Sequence, residues 1–225
     1  MLKSKGIISK LQKEILSLFP QIPDSPKFYL TGGTALAEFY LGHRLSHDLD
    51  FFTSEDGLIP TFSDAMQKQL EREELSVASV RRFQTFAEFK LTSRQEETII
   101  HIANDSPFRF SLPVDSPFGV KVNDYRDITV DKLLTFFGRA EPRDAIDLFF
   151  ILKEEELWRL TELAPQKDPG FDLYWLAVAC EKVEAFPDEI DKWPVDMLVE
   201  VDVKELKSVF LNLSREIMDK IRRGK

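Results

Sequence analysis

The stretch between residues 28 and 53 constrains the fold most strongly, because it places a glycine pair between a strand pattern and a helix pattern. It reads FYLTGGTALAEFYLGHRLSHDLDFFT. The apolar run Phe28–Leu30 predicts a short strand, and apolar residues at helical spacing follow the glycines. The run Asp48–Phe52 predicts a second strand with a carboxylate at alternate positions. The segment therefore predicts a strand, a turn, a helix and a second strand in close succession.

Gly32 and Gly33 occupy the turn before the predicted helix. Two glycines permit a tight turn with positive φ because no Cβ obstructs it. Backbone N–H groups in such a turn, with the free N–H groups of the next helix, can bind an anion such as a phosphate. For a lone glycine pair, a plain strand–helix turn with Thr34 as the helix N-cap is the simpler interpretation.

Asp48 and Asp50 project from one face of the second predicted strand, ~6.5 Å apart along it. Two adjacent carboxylates repel each other unless a cation lies between them. Mg²⁺ suits this position because it prefers oxygen ligands and phosphate co-ligands. Such ions can polarise both oxygens of an in-line phosphoryl or nucleotidyl displacement. Alone, the pair is as well explained as a solvated acidic strand end.

The combination of a glycine turn, one helix and an Asp-x-Asp strand resembles the polymerase β-like nucleotidyltransferases. The run from Gly32 to Phe52 is similar to one branch, the AbiEii/AbiGii-type toxin nucleotidyltransferases of type IV toxin–antitoxin systems. The residues that carry this resemblance are Gly32, Gly33, Thr34, Ala35, Leu36, His43, Arg44, Ser46, Asp48, Asp50 and Phe52.

The resemblance implies a chemistry and a set of binding residues. An NTP would be bound with its phosphates at the glycine turn, and Mg²⁺ or Mn²⁺ would be held by Asp48 and Asp50. An NMP would pass to a hydroxyl acceptor, such as a tRNA 3′ end, and an antitoxin would be the protein partner. The residues expected at the nucleotide are Gly32, Gly33, Thr34, Arg44 and Ser46, with His43 as a further phosphate-orienting residue.

A second cluster of charged residues lies between Asp127 and Leu152, and the same family resemblance extends to it. Its members are Lys132, Arg139, Arg143, Asp144 and Asp147. Lys132 and Arg139 are two helical turns apart and share a face, so they could hold a triphosphate. The alternative is that Arg143, Asp144 and Asp147 form ion pairs that tie two helices together.

The third carboxylate of polymerase β-like enzymes is not evident. The resemblance places His101 where that acid is expected, on the strand TIIHIA. His101 could act as a general base near neutral pH, although it replaces an oxygen ligand with nitrogen. Asp105 could substitute if the chain bends towards the site, and weak or lost activity is the third alternative.

Composition restricts the classes of protein that fit. No apolar run approaches ~18 residues, which predicts no membrane-spanning helix, and the N-terminal segment does not resemble a secretory signal. The single Cys180 predicts a cytoplasmic protein without an intramolecular disulfide. The net charge of −9 argues against broad, salt-driven binding to nucleic acid, but not against a local basic groove.

The pattern of apolar residues changes near residue 122, from mixed strands and helices to helices alone. We therefore predict an α+β fold, with a nucleotidyltransferase domain over residues 1–122 and a helical domain over 123–225. The predicted elements include a helix over Lys5–Phe19, strands over Ser76–Arg81, Thr85–Leu91, Thr98–Ala103 and Val120–Val122, a turn over Ser93–Glu97, and helices over Phe171–Phe186 and Val203–Ile221.

A metal-dependent nucleotidyltransferase is the favoured function. Two alternatives follow from the missing acid and the negative charge: a nucleotide- or protein-binding member without catalysis, and a transferase acting on a cationic small molecule such as an aminoglycoside. A haloacid-dehalogenase-type phosphatase fits poorly, because Gly-His-Arg-Leu-Ser-His precedes the acid pair instead of a continuous apolar strand.

Overall fold

The computed structural model describes residues 1–93 and 96–224 and contains two compact units, Met1–Tyr125 and Arg126–Lys225. The first unit holds every described strand, and the second is helical. This arrangement confirms the predicted α+β class with a mixed sheet. The domain limits 1–122 and 123–225 remain a prediction about folding units. The predicted turn over Ser93–Glu97 includes residues 94 and 95, which lie outside the described part.

The first unit is built on a mixed sheet of seven described strands in the order β3-β4-β5-β2-β1-β7-β6. The pairs β2–β5 and β1–β7 are parallel, and the other neighbours are antiparallel. The strands are β1 Tyr29–Thr31, β2 Asp48–Thr53, β3 Ser76–Arg82, β4 Phe86–Ser93, β5 Glu96–Asn104, β6 Val114–Asp115 and β7 Lys121–Val122.

One face of this sheet is buried and the other is half-exposed, as the alternating burial of β2, β4 and β5 shows. The buried face packs aromatic rings closely: Phe51 stacks on Phe19 with 3.9 Å between ring centroids. Phe86 and Phe89 are three residues apart and therefore lie on opposite faces of β4: Phe89 is buried, and Phe86 is on the half-exposed face. The half-exposed face also carries Asp48 and Asp50.

The helices of the first unit are α1 Lys10–Leu18, α2 Gly32–Leu36, which continues as a π-helical turn over Ala37–Leu41, and α3 Leu58–Arg72. The predicted start of α1 at Lys5 is wrong by five residues. Ser9 caps the helix in a reciprocal capping box with Gln12, so residues before Ser9 are outside it. The buried Glu38 carboxylate instead accepts hydrogen bonds from the backbone N–H groups of Gly6 (3.0 Å) and Ile7 (2.9 Å).

The second unit contains α5 Pro142–Ile151, α6 Leu157–Lys167, α7 Leu173–Lys182 and α8 Val203–Arg223. Helix α4, Tyr125–Arg139, begins at the last residue of the first unit and otherwise belongs to the second. Asp172 and Asp202 cap α7 and α8 through hydrogen bonds from backbone N–H groups, which stop the helices from extending further towards their N-termini. Among the described residues, no helix combines the length and apolar character needed to cross a membrane.

Candidate active site

The glycine turn and the acid pair come together in the structure through the pairing of β1 with β2. Thr31, the residue before the glycines, lies opposite Asp50 in the sheet. Gly32 has φ +72°, and a Cβ built on it would lie 2.0 Å from Oδ2 of Asp50. Only glycine combines this backbone conformation with such a close approach. Gly32 therefore seats the Asp50 carboxylate against the turn.

Gly33 is packed in the same way against the loop that precedes β2. A Cβ on Gly33 would lie 2.7 Å from Nη2 of Arg44 and 2.8 Å from Oγ of Ser46. Arg44 is largely buried, and its Nη1 donates a hydrogen bond of 2.9 Å to the carbonyl of Leu45. A guanidinium and a hydroxyl at a glycine turn are suitable groups for binding phosphate.

Thr34 is a buried residue inside α2 and links the turn to β2. Its hydroxyl donates to the carbonyl oxygens of Ser46 (3.3 Å) and Asp48. The N-cap of α2 is Thr31, so the alternative interpretation of Thr34 as the N-cap is wrong. Gln12 joins the same network, because its Nε2 donates to the Ser46 carbonyl at 2.9 Å. Sequence reasoning missed Gln12, which lies in α1, far from the motif.

His101 lies beside the acid pair, because β5 runs parallel to β2 and places His101 next to Asp50. The His101 Nδ1 is 2.9 Å from Oδ1 of Asp50. This hydrogen bond to Asp50 raises the pKa of His101, and the charges of Asp50 and Asp48 add to it, although burial acts in the opposite direction. With Nδ1–H donating to the carboxylate, Nε2 is the basic atom of the ring.

Asp105 lies just beyond the end of this strand pair, away from His101. It follows β5 four residues after His101, ~13 Å along the strand direction. Its carboxylate accepts hydrogen bonds from the Tyr29 hydroxyl and from Nη2 of Arg109 at 3.1 Å. Burial of the Tyr29 hydroxyl and the charge of the Asp105 carboxylate raise the pKa of Tyr29. The structure thus brings His101 to Asp50 and assigns the Asp105 carboxylate to Tyr29 and Arg109.

A further carboxylate, Glu88, lies on β4 directly opposite His101. His101 is therefore placed between Asp50 on one side and Glu88 on the other. Oε2 of Glu88 is also 3.5 Å from Nε of Arg81, which lies on β3. Sequence reasoning missed Glu88, and only the β4–β5 register could have identified it, because its local pattern is that of an ordinary strand.

The second charged cluster forms ion pairs within the helical unit. Lys132 Nζ of α4 is 2.7 Å from Oδ2 of Asp147 in α5, and the Asp147 side chain is 0% exposed. Arg139 contacts both oxygens of Asp144, at 2.6 and 2.8 Å, which raises the Arg139 pKa. Arg143 instead pairs with Glu141 at 3.2 Å. The alternative of ion pairs between two helices is therefore correct for Asp144 and Asp147, but their partners are Arg139 and Lys132 and not Arg143.

The residues present fit a divalent cation. Asp48 and Asp50 supply hard carboxylate oxygens on the half-exposed face of β2, next to a turn suited to phosphate, and phosphate oxygens would be natural co-ligands. In residues 1–93 and 96–224, no group of three or more His, Cys, Asp or Glu side chains is arranged to hold a metal ion. The two aspartates are thus the candidate protein ligands.

Comparison with known proteins identifies a sequence relative and solved structures of similar fold. An uncharacterised Aquifex aeolicus protein, aq_aa25, is 26% identical over 165 residues, which cover 69% of this chain and 72% of that protein. The structure of a candidate nucleotidyltransferase from H. pylori has a TM-score of 0.53 at 17% identity, covering 97% of this chain and 99% of that one. JHP933 from Helicobacter pylori has a TM-score of 0.51 at 18% identity and covers 96% of each chain.

These structures share the fold, which is that of the polymerase β-like nucleotidyltransferases. The family described as nucleotidyl transferase AbiEii toxin, type IV TA system, matches residues 14–193. This range includes the glycine turn, the acid pair, His101 and the ion-paired helices α4 and α5. The chain therefore belongs to the AbiEii nucleotidyltransferase toxin family.

Proposed function

We propose that this chain is a metal-dependent nucleotidyltransferase that moves an NMP from an NTP to a hydroxyl acceptor. The observation that carries the proposal is the contact of the Asp50 carboxylate with the Gly32 turn, where a Cβ would be 2.0 Å from Oδ2. This contact supports a metal ligand at Asp50 next to a phosphate site at the glycine turn. Nucleotidyl transfer needs the metal ligands and the phosphate-binding groups in one site, because the metal is bound by carboxylate and phosphate oxygens together.

The glycine turn and the loop before β2 would bind the phosphates of the NTP. Arg44 and Ser46 meet at Gly33, and Thr34 fixes the loop by binding the carbonyls of Ser46 and Asp48. A guanidinium in this position stabilises the negative charge that develops on the phosphoryl oxygens. Asp48 and Asp50 would hold Mg²⁺ or Mn²⁺, which would neutralise phosphate charge and polarise the reacting oxygens.

His101 would accept the proton of the attacking hydroxyl. The acceptor oxygen forms a bond to the α-phosphorus, the α–β bridging P–O bond breaks, and pyrophosphate leaves. The proton passes to Nε2 of His101, whose Nδ1–H is held by Asp50 at 2.9 Å. Asp50 thereby fixes the tautomer and stabilises the imidazolium that forms.

The acceptor and partner follow from the family. We propose a tRNA 3′ end as the acceptor and an antitoxin protein as the partner, with the chain acting as the toxin of a type IV system. Membership of a family described as nucleotidyl transferase toxins of type IV TA systems supports the toxin role and an antitoxin partner. The tRNA acceptor rests on the resemblance of the sequence motifs alone. The role in triphosphate binding that the family resemblance implies for Lys132, Arg139, Arg143, Asp144 and Asp147 remains a prediction.

Label transfer tests the proposal directly. The native protein is incubated with each α-³²P-labelled NTP, Mg²⁺ or Mn²⁺ and total tRNA, beside the double variant Asp48→Asn/Asp50→Asn. Asp115→Asn is the matched control, because Asp115 is an exposed β6 carboxylate paired only loosely with Lys121 at 3.3 Å. We expect label on RNA with the native and Asp115→Asn proteins alone.

Other outcomes separate the alternatives. Transfer to an aminoglycoside and not to RNA would identify a small-molecule transferase. NTP binding without transfer to any acceptor would indicate a nucleotide-binding member without catalysis, as the His at position 101 allows. Equal transfer by the Asp48→Asn/Asp50→Asn variant would refute the assignment of the acid pair.

A further inference from the structure

The half-exposed face of the sheet continues beyond His101 towards its β3 edge, and aromatic and cationic side chains line it there. Phe86 lies on β4, two residues before Glu88, and so projects on the same side as Glu88 and His101. The ring of Phe86 is 5.7 Å from the imidazole of His101, with 31° between the planes. An aromatic surface therefore adjoins the proposed general base.

Phe83 extends this aromatic surface at the β3–β4 turn. Its backbone N–H donates to the carbonyl of Phe86 at 2.7 Å, so the two residues are opposite each other across the hairpin. Opposite residues of an antiparallel pair share a face, which places Phe83 beside Phe86. Phe83 is nevertheless 63% exposed, an unusual position for a phenylalanine in a chain with an aromatic core.

Arg81 adds a guanidinium to the same surface, with its Nε 3.5 Å from Oε2 of Glu88. It lies opposite Glu88 on β3 and is 63% exposed at its side chain. The neighbouring Arg82 points to the other face, where its guanidinium lies 5.0 Å from the Phe89 ring and contacts Asp64 of α3. The alternation of β3 thus directs one arginine to the helix layer and the other to the face that carries Asp50 and His101.

The exposed ring of Phe83 and the half-exposed ring of Phe86, next to a guanidinium, suit one class of ligand in particular. Nucleobases stack on aromatic side chains without regard to sequence, while a neighbouring arginine neutralises the phosphate. Bases in a duplex are already stacked, so only unpaired nucleotides can bind in this way. A short aromatic surface with one arginine lets unpaired RNA bind without the broad basic area that the net charge of −9 argues against.

We propose that Phe83, Phe86 and Arg81 form the binding surface for the unpaired terminal nucleotides of an RNA acceptor, directing its terminal hydroxyl towards His101. This inference rests on the proposed nucleotidyl transfer. The terminal base stacks on Phe86, the preceding base stacks on Phe83, and Arg81 contacts the phosphate between them.

Binding can be tested without catalysis, by fluorescence anisotropy of a labelled single-stranded oligoribonucleotide in the absence of NTP and metal. Phe83→Ala should raise Kd roughly 5- to 150-fold, the range found when a stacking aromatic is removed. Phe83→Trp should bind as tightly as the native protein, because it keeps a stacking surface. Arg81→Gln should raise Kd and flatten its dependence on salt.

Val80→Ala is the matched control, because Val80 is 51% exposed on the same strand at the position where the β3–β4 register shifts. It should leave RNA affinity unchanged. NTP binding, measured in parallel by displacement of a fluorescent NTP analogue, should be the same in all four variants. This parallel measurement distinguishes failure of the RNA surface from failure of the nucleotide site.

Three results from the RNA-binding measurements would overturn the inference. The first is that Phe83→Ala binds RNA with an affinity within twofold of the native protein. The second is that Val80→Ala loses as much RNA affinity as Phe83→Ala. The third is that the native protein binds NTP but does not bind RNA. The last result would leave the proposed nucleotidyl transfer intact with another acceptor. Absence of NTP binding in the native protein would instead remove the proposed function, and this inference with it. Weaker aminoglycoside binding in Phe83→Ala would also contradict an RNA surface.

Discussion

Substitution of Gly32 by alanine tests the central geometry of the site. Gly32 has φ +72°, a conformation that costs a residue with a Cβ about 1–2 kcal/mol. The new Cβ would also lie 2.0 Å from Oδ2 of Asp50. Contacts under 3.0 Å are essentially never seen, so the carboxylate must move by about 1 Å, the difference between the two distances.

The displaced carboxylate determines the expected effect on catalysis. Asp50 makes a 2.9 Å contact with His101, which such a movement would lengthen or break. A misplacement of about 1 Å at a reacting centre can reduce the rate on the order of 100-fold. We therefore expect Gly32→Ala to lose about 1–2 kcal/mol of unfolding free energy and roughly 100-fold in label transfer.

Gly57→Ala separates backbone strain from the clash. Gly57 has φ +77° and no atom within 4 Å of its hypothetical Cβ, so it carries the same strain in open space. It should show a similar loss in urea-induced unfolding with native transfer activity. Transfer by Gly32→Ala within threefold of native, with both variants folded, would refute the reasoning that Gly32 seats Asp50.

Three further predictions concern the packing that supports the fold. Lys132→Met removes the ammonium group that lies 2.7 Å from the fully buried Asp147 carboxylate, and should lower the unfolding free energy by about 3–5 kcal/mol. The control Lys121→Met breaks an exposed ion pair and should change the unfolding free energy by less than about 1 kcal/mol. Equal effects of the two substitutions in urea titrations would contradict a structural role for Lys132. Gln12→Leu removes the 2.9 Å hydrogen bond to the Ser46 carbonyl and should lower the unfolding free energy by about 1–3 kcal/mol. It should also reduce label transfer, because this hydrogen bond holds the loop before β2. Lower stability with native transfer would show that Gln12 does not position that loop. Burial raises the pKa of Cys180 to about 12, so at pH 8 only about one thiol in ten thousand is ionised. The reaction of Cys180 with an aromatic disulfide reagent, followed by absorbance, should therefore proceed at the rate of unfolding. Fast labelling of the folded protein would show that the thiol is not buried.

The ion pairs of α4 and α5 show that one sequence pattern can be consistent with two different roles for the same charged residues. The spacing of Lys132 and Arg139 shows that they share a helix face, but a cation face can meet either a phosphate or a carboxylate. In the structure this face meets Asp147 and Asp144. The sequence predicted the helices and the charged residues, and the pairing of α4 with α5 selected their partners.

Much of the site was determined by local sequence. Gly32 specified a turn conformation that favours glycine, and the alternation of Asp48 and Asp50 specified two carboxylates on one face of a strand. Both are properties of neighbouring residues, because backbone conformation and strand pleat are local. The family resemblance, the mixed sheet and the helical second half followed from such patterns as well.

Tertiary structure decided which distant groups join that turn and strand. The β2–β5 register places His101, and not Asp105, beside Asp50, and the β4–β5 register adds Glu88 on the other side of His101. A shift of one residue in either register would turn these side chains to the opposite face. Register depends on burying the other face, where rings such as Phe19 and Phe51 stack, and no local pattern contains that information.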